Sequence, residues 1–244
     1  MTIVLHRFPI SHFSEKARAA LDFKGLEYRI VEHQPGPEQI AIYRLSGQRK
    51  LPVIEHDGTV VADSTEIALY LERTFPDRRR LLPEDPSARL EVLALEAQLD
   101  DTLGKSGPLV WLRHAARDER YLDALGAATT PLVSAGLRAM AAVVPIAEAR
   151  LGAVQRRLDE AERTLRATLA DLCARLETSR YLVGDEPSLA DIAAVTLVHP
   201  LKFPPSRGLF RPALAGASVH SIVEHPDLAP FFDFRDRFYR DHLQ

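Results

Sequence analysis

Cysteine is almost missing. Cys173 is the only one in 244 residues, which excludes an intramolecular disulfide, a dithiol redox motif and a cysteine-built zinc site. The lone thiol fits a reducing, cytoplasmic setting. Long apolar runs are lacking too: stretches such as Ala141 to Ala147, with Pro145 inside, fall far short of the roughly 20 residues that span a bilayer. The opening MTIVLHRFPI has no basic start or long apolar middle, so neither export nor membrane insertion is expected. Charge of one sign is also scarce. With 31 basic and 34 acidic residues the net charge is −3, which offers no field to a polyanion such as nucleic acid. The one dense basic run, Arg78-Arg79-Arg80, follows Pro76-Asp77 and reads as a solvated connector. No G-x-G-x-x-G or G-x-x-x-x-G-K-[ST] loop follows a strand, no G-x-S-x-G elbow is present, and no His-x-x-x-His or Cys/His cluster occurs. Nucleotide-dependent catalysis, a serine hydrolase and a metal centre are therefore unsupported.

What is there is an ordinary globular mix, 46% hydrophobic and 27% charged, arranged in two halves with different patterning. Ile3-Val4-Leu5 reads as a β-branched strand. ISHFSEKARAALDFKG then reads as a helix with Ser11 or Ser14 as its N-cap and Gly25 as its αL stop. Leu26 to Val31 alternates as a second strand, and a strand–helix–strand unit implies a parallel pair. QPGPEQ breaks the chain before a short helix over Ile40 to Leu45. Pro52 to Glu55 and Thr59 to Ala62 flank Asp57-Gly58, the dipeptide suited to a type I′ hairpin turn. DSTEIALYLERTF follows as a helix opened by Asp63 or Ser64. The first domain is thus βαβ followed by ββα over 1–76, with a linker over 77–86. From 87 to 244 everything reads as helical. Leu151, Val154, Leu158, Ala161, Leu165, Leu169, Leu172 and Leu176 form an apolar seam that suits one long helix of an intramolecular bundle or, alternatively, a coiled-coil dimer. Lys202 to Ser218 is an irregular loop, and Phe231, Phe234 and Phe238 share one face of a last helix.

A βαβ-ββα unit before an all-helical domain resembles the glutathione transferase family, and four sets of residues carry the resemblance. They are Ser11 at the start of the first helix, Pro52 opening the third strand, Asp63-Ser64 opening the third helix, and Ser188-Leu189-Ala190-Asp191 in the helical half. The resemblance implies a thioredoxin-like α/β N-terminal domain, an all-α helical-bundle C-terminal domain, and glutathione as co-substrate with no metal. It implies a small hydrophobic electrophile as second substrate, a homodimer, and neither nucleic acid nor membrane as partner.

Each landmark has a physical reason. A helix N-terminus presents unpaired N–H groups and partial positive charge, so a hydroxyl there favours a bound thiolate, the reactive form of the tripeptide. Ser11 is the expected thiolate stabiliser, with Ser14, one turn later, as the alternative; both could equally be caps and nothing more. The absence of cysteine from SHFS disfavours a mixed-disulfide mechanism, and His12 receives no catalytic role. A cis bond before Pro52 would free the Leu51 backbone for the cysteinyl unit, whereas a trans proline starting an edge strand is the other reading. Asp63 and Ser64 would hold the γ-glutamyl end. Phe13 and Lys50 complete the expected glutathione contacts, with Gln48 and Arg49 beside Lys50. Phe8, Ile10 and Trp111 are expected in the electrophile pocket, alongside Pro9, Leu109, Leu112 and His114. Ser188 and Asp191 form a capping box that serves folding. Two other readings stay open: a different glutathione-dependent reaction on the same site (isomerisation, dehalogenation or peroxide reduction), and a transferase-like interaction module without catalysis.

Overall fold

The computed structural model describes residues 2–34, 36, 38–127, 129–204 and 217–243. Contacts divide the chain into two compact units: Met1–Leu99 with Ser179–Leu197 and Arg237–Gln244, and Asp100–Thr178 with Val198–Asp236.

The first unit is built on a four-stranded sheet of order β2-β1-β3-β4, from β1 (Ile3–Arg7), β2 (Tyr28–Glu32), β3 (Val53–His56) and β4 (Thr59–Ala62). β1 and β2 are parallel, with Leu5 opposite Ile30; β3 runs antiparallel to β1 with Ile54 opposite Leu5. The β3–β4 turn has Asp57 at φ 49° and Gly58 at φ 79°, the two positive angles that an Asp-Gly type I′ turn requires. Three helices are interleaved with these strands along the chain: α1 (His12–Phe23), α2 (Glu38–Ser46) and α3 (Ser64–Thr74). The short helix expected over Ile40 to Leu45 is thus longer by two residues at its start, and Gly47 at φ 75° follows its end.

Helix α1 packs against α3 and against α8 (Leu189–Leu197), every residue of which is buried. Because α1 is enclosed, its cations are enclosed with it. Lys16 and Arg18 are fully buried and Lys24 nearly so. Lys16 pairs with Glu96 and contacts the Thr65 hydroxyl; Arg18 pairs with Glu15 and Asp22; Lys24 pairs with Glu72 at 2.7 Å. The Ser188 box forms with Asp191 answering back to the Ser188 N–H, as a capping box requires, and it makes further bonds. Asp191 accepts both the N–H and the hydroxyl of Ser188 (2.8 and 3.0 Å), and its other oxygen accepts the Leu182 N–H at 2.8 Å. Burial pushes this carboxyl up to about 6 although its hydrogen bonds pull the other way.

The long helices are α4 (Pro86–Ala115), α6 (Pro131–Arg150) and α7 (Gly152–Leu176); the shorter α5 (Glu119–Ala127), α9 (His220–Val223) and α10 (Ala229–His242) complete the set described. In the second unit the α7 seam is buried at Leu158, Ala161, Leu165, Leu169 and Leu172, whereas Leu151 lies just before the helix and is exposed. Arg113 on α4 reaches Glu148 on α6 (2.5 Å) and Asp159 and Glu162 on α7 (2.9 and 3.1 Å). Beyond β4, the one β feature among the described residues is an isolated bridge between Lys202 and Ser218. The rest of the loop expected there, 205–216, lies outside the described residues.

One expectation needs correction. Ala141 to Ala147 is not a short apolar run but part of α6, 20 residues long and, by length and composition, apolar enough to cross a membrane. Only 17% of its apolar window is buried, and Leu132, Val143 and Ile146 are exposed. A helix was expected here, but counting consecutive apolar residues does not register the length of its apolar window, because Ser134, Gly136 and Arg138 interrupt the run.

The buried α1 pairs predict an asymmetric mutational response. Lys16→Met should destabilise the protein by about 3–5 kcal/mol, because it strands the Glu96 carboxylate in the interior. Lys16→Met combined with Glu96→Leu should recover most of that loss in urea unfolding. Equal losses for the single and the double variant would show that the pair does not act as a unit.

Candidate functional site

The β1–α1 turn decides which serine faces outward. Ser11 is the N-cap of α1, extended at φ −78°, ψ 123°, and its Oγ accepts the Ser14 N–H at 3.3 Å. Ser14 is buried, with its Oγ accepting the Phe8 N–H at 3.2 Å. Ser11 instead lines a cavity of about 270 Å³ together with Phe8, Phe13, Lys50 and Leu51. Its hydroxyl proton remains available to a ligand, and accepting an amide bond strengthens a hydroxyl as a donor.

The cavity is also lined by residues that the sequence did not single out: His33, Gln34, Gln39 and Ile42. The Gln34 Oε1 atom is buried without a hydrogen-bond partner. QPGPEQ signalled only a chain break, and its glutamines gave no periodic or motif signal that would mark them as wall residues.

Leu51-Pro52 is a cis peptide bond. The Pro52 carbonyl accepts the Asp63 N–H at 3.3 Å, which sets the start of α3 beside the Leu51 segment. Asp63 adopts φ 80°, the left-handed region that L side chains rarely enter, and its Oδ1 caps α3 by accepting the N–H groups of Thr65 (2.8 Å) and Glu66 (3.3 Å). One carboxylate oxygen is thereby engaged in capping, on an exposed residue. Ser64 is different: it is buried, and its Oγ has no hydrogen-bond partner. A buried hydroxyl costs free energy unless something pairs with it. At the first residue of a helix the nearby N–H groups make a carboxylate the natural complement. The donor set, with Ser11, Lys50 and Arg49 added, fits a thiol peptide carrying carboxylates.

Other expected site residues are placed elsewhere. Ser14, Pro52, Asp63 and Ser64 are not among the residues lining the cavity, although the last three adjoin Leu51 through the Pro52–Asp63 bond. Ile10 is buried and likewise absent from its walls. Trp111 lies in the second unit, where its Nε1–H donates to Tyr121 at 3.1 Å, so an aromatic hydrogen bond accounts for it locally. No group of three or more His, Cys, Asp or Glu side chains among the described residues is arranged to hold a metal ion. A larger, open cavity of about 590 Å³ in the second unit is lined by Arg113, Arg117, Arg163 and Arg166. Its arginines are paired with Glu148, Asp159, Glu160 and Glu162.

Comparison with known proteins matches these features on both sequence and structure. Residues 5–79 match the model "Glutathione S-transferase, N-terminal domain", and 133–206 match "Glutathione S-transferase, C-terminal domain". The chain is similar to Protein LigF of a Sphingobium strain, 30% identical over 215 residues that cover 84% of this chain and 80% of that protein. The solved structure of that protein, called a beta-etherase, aligns over 96% of this chain and 99% of the other at 27% identity, with a TM-score of 0.62. A glutathione S-transferase from Methylobacterium radiotolerans, solved with glutathione sulfonate, aligns over 100% of this chain and 95% of that one at 25% identity and a TM-score of 0.64. Glutathione S-transferase U10 of Arabidopsis thaliana is 34% identical over 91 residues, 37% of this chain and 39% of that protein.

The two buried helix-start serines, Ser14 and Ser64, should respond differently to loss of the hydroxyl. Ser14→Ala should cost about 1–2 kcal/mol, because it leaves the Phe8 N–H unpaired. Ser64→Ala should leave thermal stability in the absence of ligand unchanged or slightly raised, since its hydroxyl has no partner to lose. A marked fall in Tm for Ser64→Ala would mean that the hydroxyl is structural.

Proposed function

Because the chain belongs to the glutathione S-transferase family, we propose that it binds glutathione at the Ser11 cavity and uses the thiolate to attack a small hydrophobic electrophile. The observation that carries this reading is the pairing of an outward-facing hydroxyl at a helix N-terminus, Ser11, with an unpartnered buried hydroxyl, Ser64, at the start of the helix beside Leu51. Glutathione sulfonate in the solved structure of the Methylobacterium radiotolerans protein supports the tripeptide as ligand.

In this reading Ser11 donates its hydroxyl hydrogen to the sulfur while the amides of the first α1 turn add positive potential. Both lower the thiol pKa and raise the thiolate population at neutral pH. Ser14 keeps the turn in shape behind it. The Leu51 backbone pairs with the cysteinyl unit, Ser64 and the α3 amides take the γ-glutamyl carboxylate, and Asp63 offers its second oxygen to the ammonium group. Lys50 and Arg49 face the glycyl carboxylate, and Phe8 and Phe13 supply apolar wall. The thiolate then forms a sulfur–carbon bond as the leaving group departs with its electron pair, or as a polarised double bond takes up the pair and a proton from water.

Similarity to LigF, whose solved structure is called a beta-etherase, favours a second reading of the same step. There the carbon attacked carries an ether oxygen: the sulfur–carbon bond forms, the carbon–oxygen bond breaks, and the oxygen leaves with the pair and is protonated from solvent. Homodimerisation and a cytoplasmic setting belong to the proposal as well, with the exposed Leu90 and Val60 as candidate apolar surface.

Calorimetric titration with glutathione and with S-hexylglutathione should show saturable binding of both, and an electrophile screen should include aryl halides and ethers. Ser11→Ala should lower kcat by about 10²-fold or more, the scale of losing one donor to a developing anion, with glutathione affinity nearly unchanged. Ser14→Ala producing that loss in its place would overturn the assignment of Ser11. Ser64→Ala or Asp63→Ala should weaken glutathione binding about tenfold, as expected for one charge-assisted hydrogen bond. Binding of both peptides without turnover of any electrophile would point to a non-catalytic module.

A further inference from the structure

His33, just beyond β2, faces the cavity beside Lys50 and Leu51, yet both of its ring nitrogens are already engaged. Its Nε2 lies 2.8 Å from His6 Nδ1 and its Nδ1 3.3 Å from Glu38 Oε2. His6 Nε2 in turn lies 2.7 Å from Glu55 Oε1. The result is a chain Glu38–His33–His6–Glu55 that links α2, β2, β1 and β3. Both imidazoles are largely buried, while the two carboxylates reach solvent. Glu38 also accepts the Gln34 N–H at 3.0 Å, which fixes the segment presenting Gln34 to the cavity.

Proton counting defines when this chain is whole. Carboxylates only accept, and each imidazole nitrogen donates only when protonated. Three contacts therefore need three protons on four ring nitrogens: the chain is complete only in the state where the pair carries one positive charge. Removing a proton forfeits one contact. Adding a fourth turns the His6–His33 contact into two opposed N–H groups.

We propose that the His6–His33 pair is a positioning pair for the β2–α2 wall of the cavity, and that this wall grips glutathione only while the two rings share a single inner proton. Acid then weakens the grip on the tripeptide without altering Ser11. The proposal rests on the glutathione reading above. Burial and the neighbouring His6 hold His33 below the ordinary histidine value, against the pull of Glu38. A group lowered in this way binds fewer protons in the closed wall than in an opened one, so the closed wall loses stability as pH falls below about 6.5. The other charged groups around the pair are Arg29 on the same sheet face, Arg7 paired with Glu32 on β1 and β2, and Arg49 and Lys50 along the cavity. Of the side-chain types present, histidine is the one whose ordinary titration falls between pH 5 and 8.

The test is calorimetric titration with S-hexylglutathione from pH 5 to pH 8, a ligand whose capped sulfur removes thiol ionisation from the result. Wild-type Kd should rise about fivefold or more from pH 7 to pH 5. His6→Gln should flatten that slope and raise KM for glutathione at pH 7 with kcat little changed. His33→Gln should flatten it as well, and serves if His6→Gln does not fold. A wild-type Kd that is flat with pH, or variants that keep the wild-type slope, would overturn the pair's role while leaving the glutathione site standing. Failure of S-hexylglutathione to bind at any pH would overturn both.

Discussion

Three buried cations, Lys16 and Arg18 on α1 and Lys24 at its C-cap, set the terms for the rest of the first unit. Lys16, Arg18 and Lys24 point into regions from which water is excluded, and an unpaired charge there would cost several kcal/mol. Each is therefore tied to a different part of the fold. Lys16 meets Glu96 of α4 and Thr65 of α3. Arg18 meets Glu15 and Asp22 of its own helix, and these carboxylates in turn accept the hydroxyls of Tyr239 (3.0 Å) and Tyr28 (2.7 Å). Burial opposes the Arg18 charge, yet Glu15 and Asp22 outweigh it and hold the guanidinium well above its ordinary pKa. Lys24 meets Glu72, which also accepts the N–H groups of Leu81 and Leu82, while the Leu81 carbonyl accepts the Leu189 N–H of α8. These pairs contribute little net stability, since desolvation offsets attraction. Their effect is positional: rotation or sliding of α1 would break them together, so the N-terminus of the helix, and Ser11 with it, is held in one place against the sheet.

That constraint also separates what the sequence revealed from what it hid. Local chemistry was legible. Asp57-Gly58 announced its hairpin because two positive φ angles in a row admit few other residues, and the α7 seam announced its helix because one buried stripe repeats every three or four residues. The start of α1 was legible as a start, but SHFS did not say which hydroxyl faces outward. That depends on the Phe8 N–H, which claims Ser14 and leaves Ser11 at the cavity. The partners of Lys16 and Lys24 were illegible because Glu96 and Glu72 lie 80 and 48 positions away in the chain, and no periodicity links a cation to so distant a carboxylate. His6 and His33 were passed over for the same reason: each reads as an isolated histidine until parallel pairing of β1 with β2 brings their segments together. The length of the apolar window in α6 was hidden differently, because Ser134, Gly136 and Arg138 interrupt the run.

The three helix-start serines show how little a motif alone decides. Ser11, Ser14 and Ser64 are alike in residue type and in lying in a first turn. They differ in what satisfies them: a backbone amide with a free hydroxyl proton at Ser11, an amide in the interior at Ser14, and nothing within the protein at Ser64. An unsatisfied buried hydroxyl is open to a partner from outside the protein, water or ligand. The partner inventory therefore carries more functional information than the letters do.

The walls of the cavity differ in the same currency. The Ser11 side rests on α1, whose ion pairs are sealed from solvent and include an arginine that stays charged at any pH where the protein folds. The His33 side rests on a chain whose two carboxylates are solvent-facing and whose two imidazoles are largely buried. On the reading proposed above, electrostatics at the sulfur would rest on a base of sealed ion pairs, and the hold on the peptide on one whose carboxylates solvent reaches. The two walls would then set separate quantities, the reactivity of the thiolate and the residence of the molecule that carries it. The division follows from which charges the fold buries completely and which it leaves half exposed.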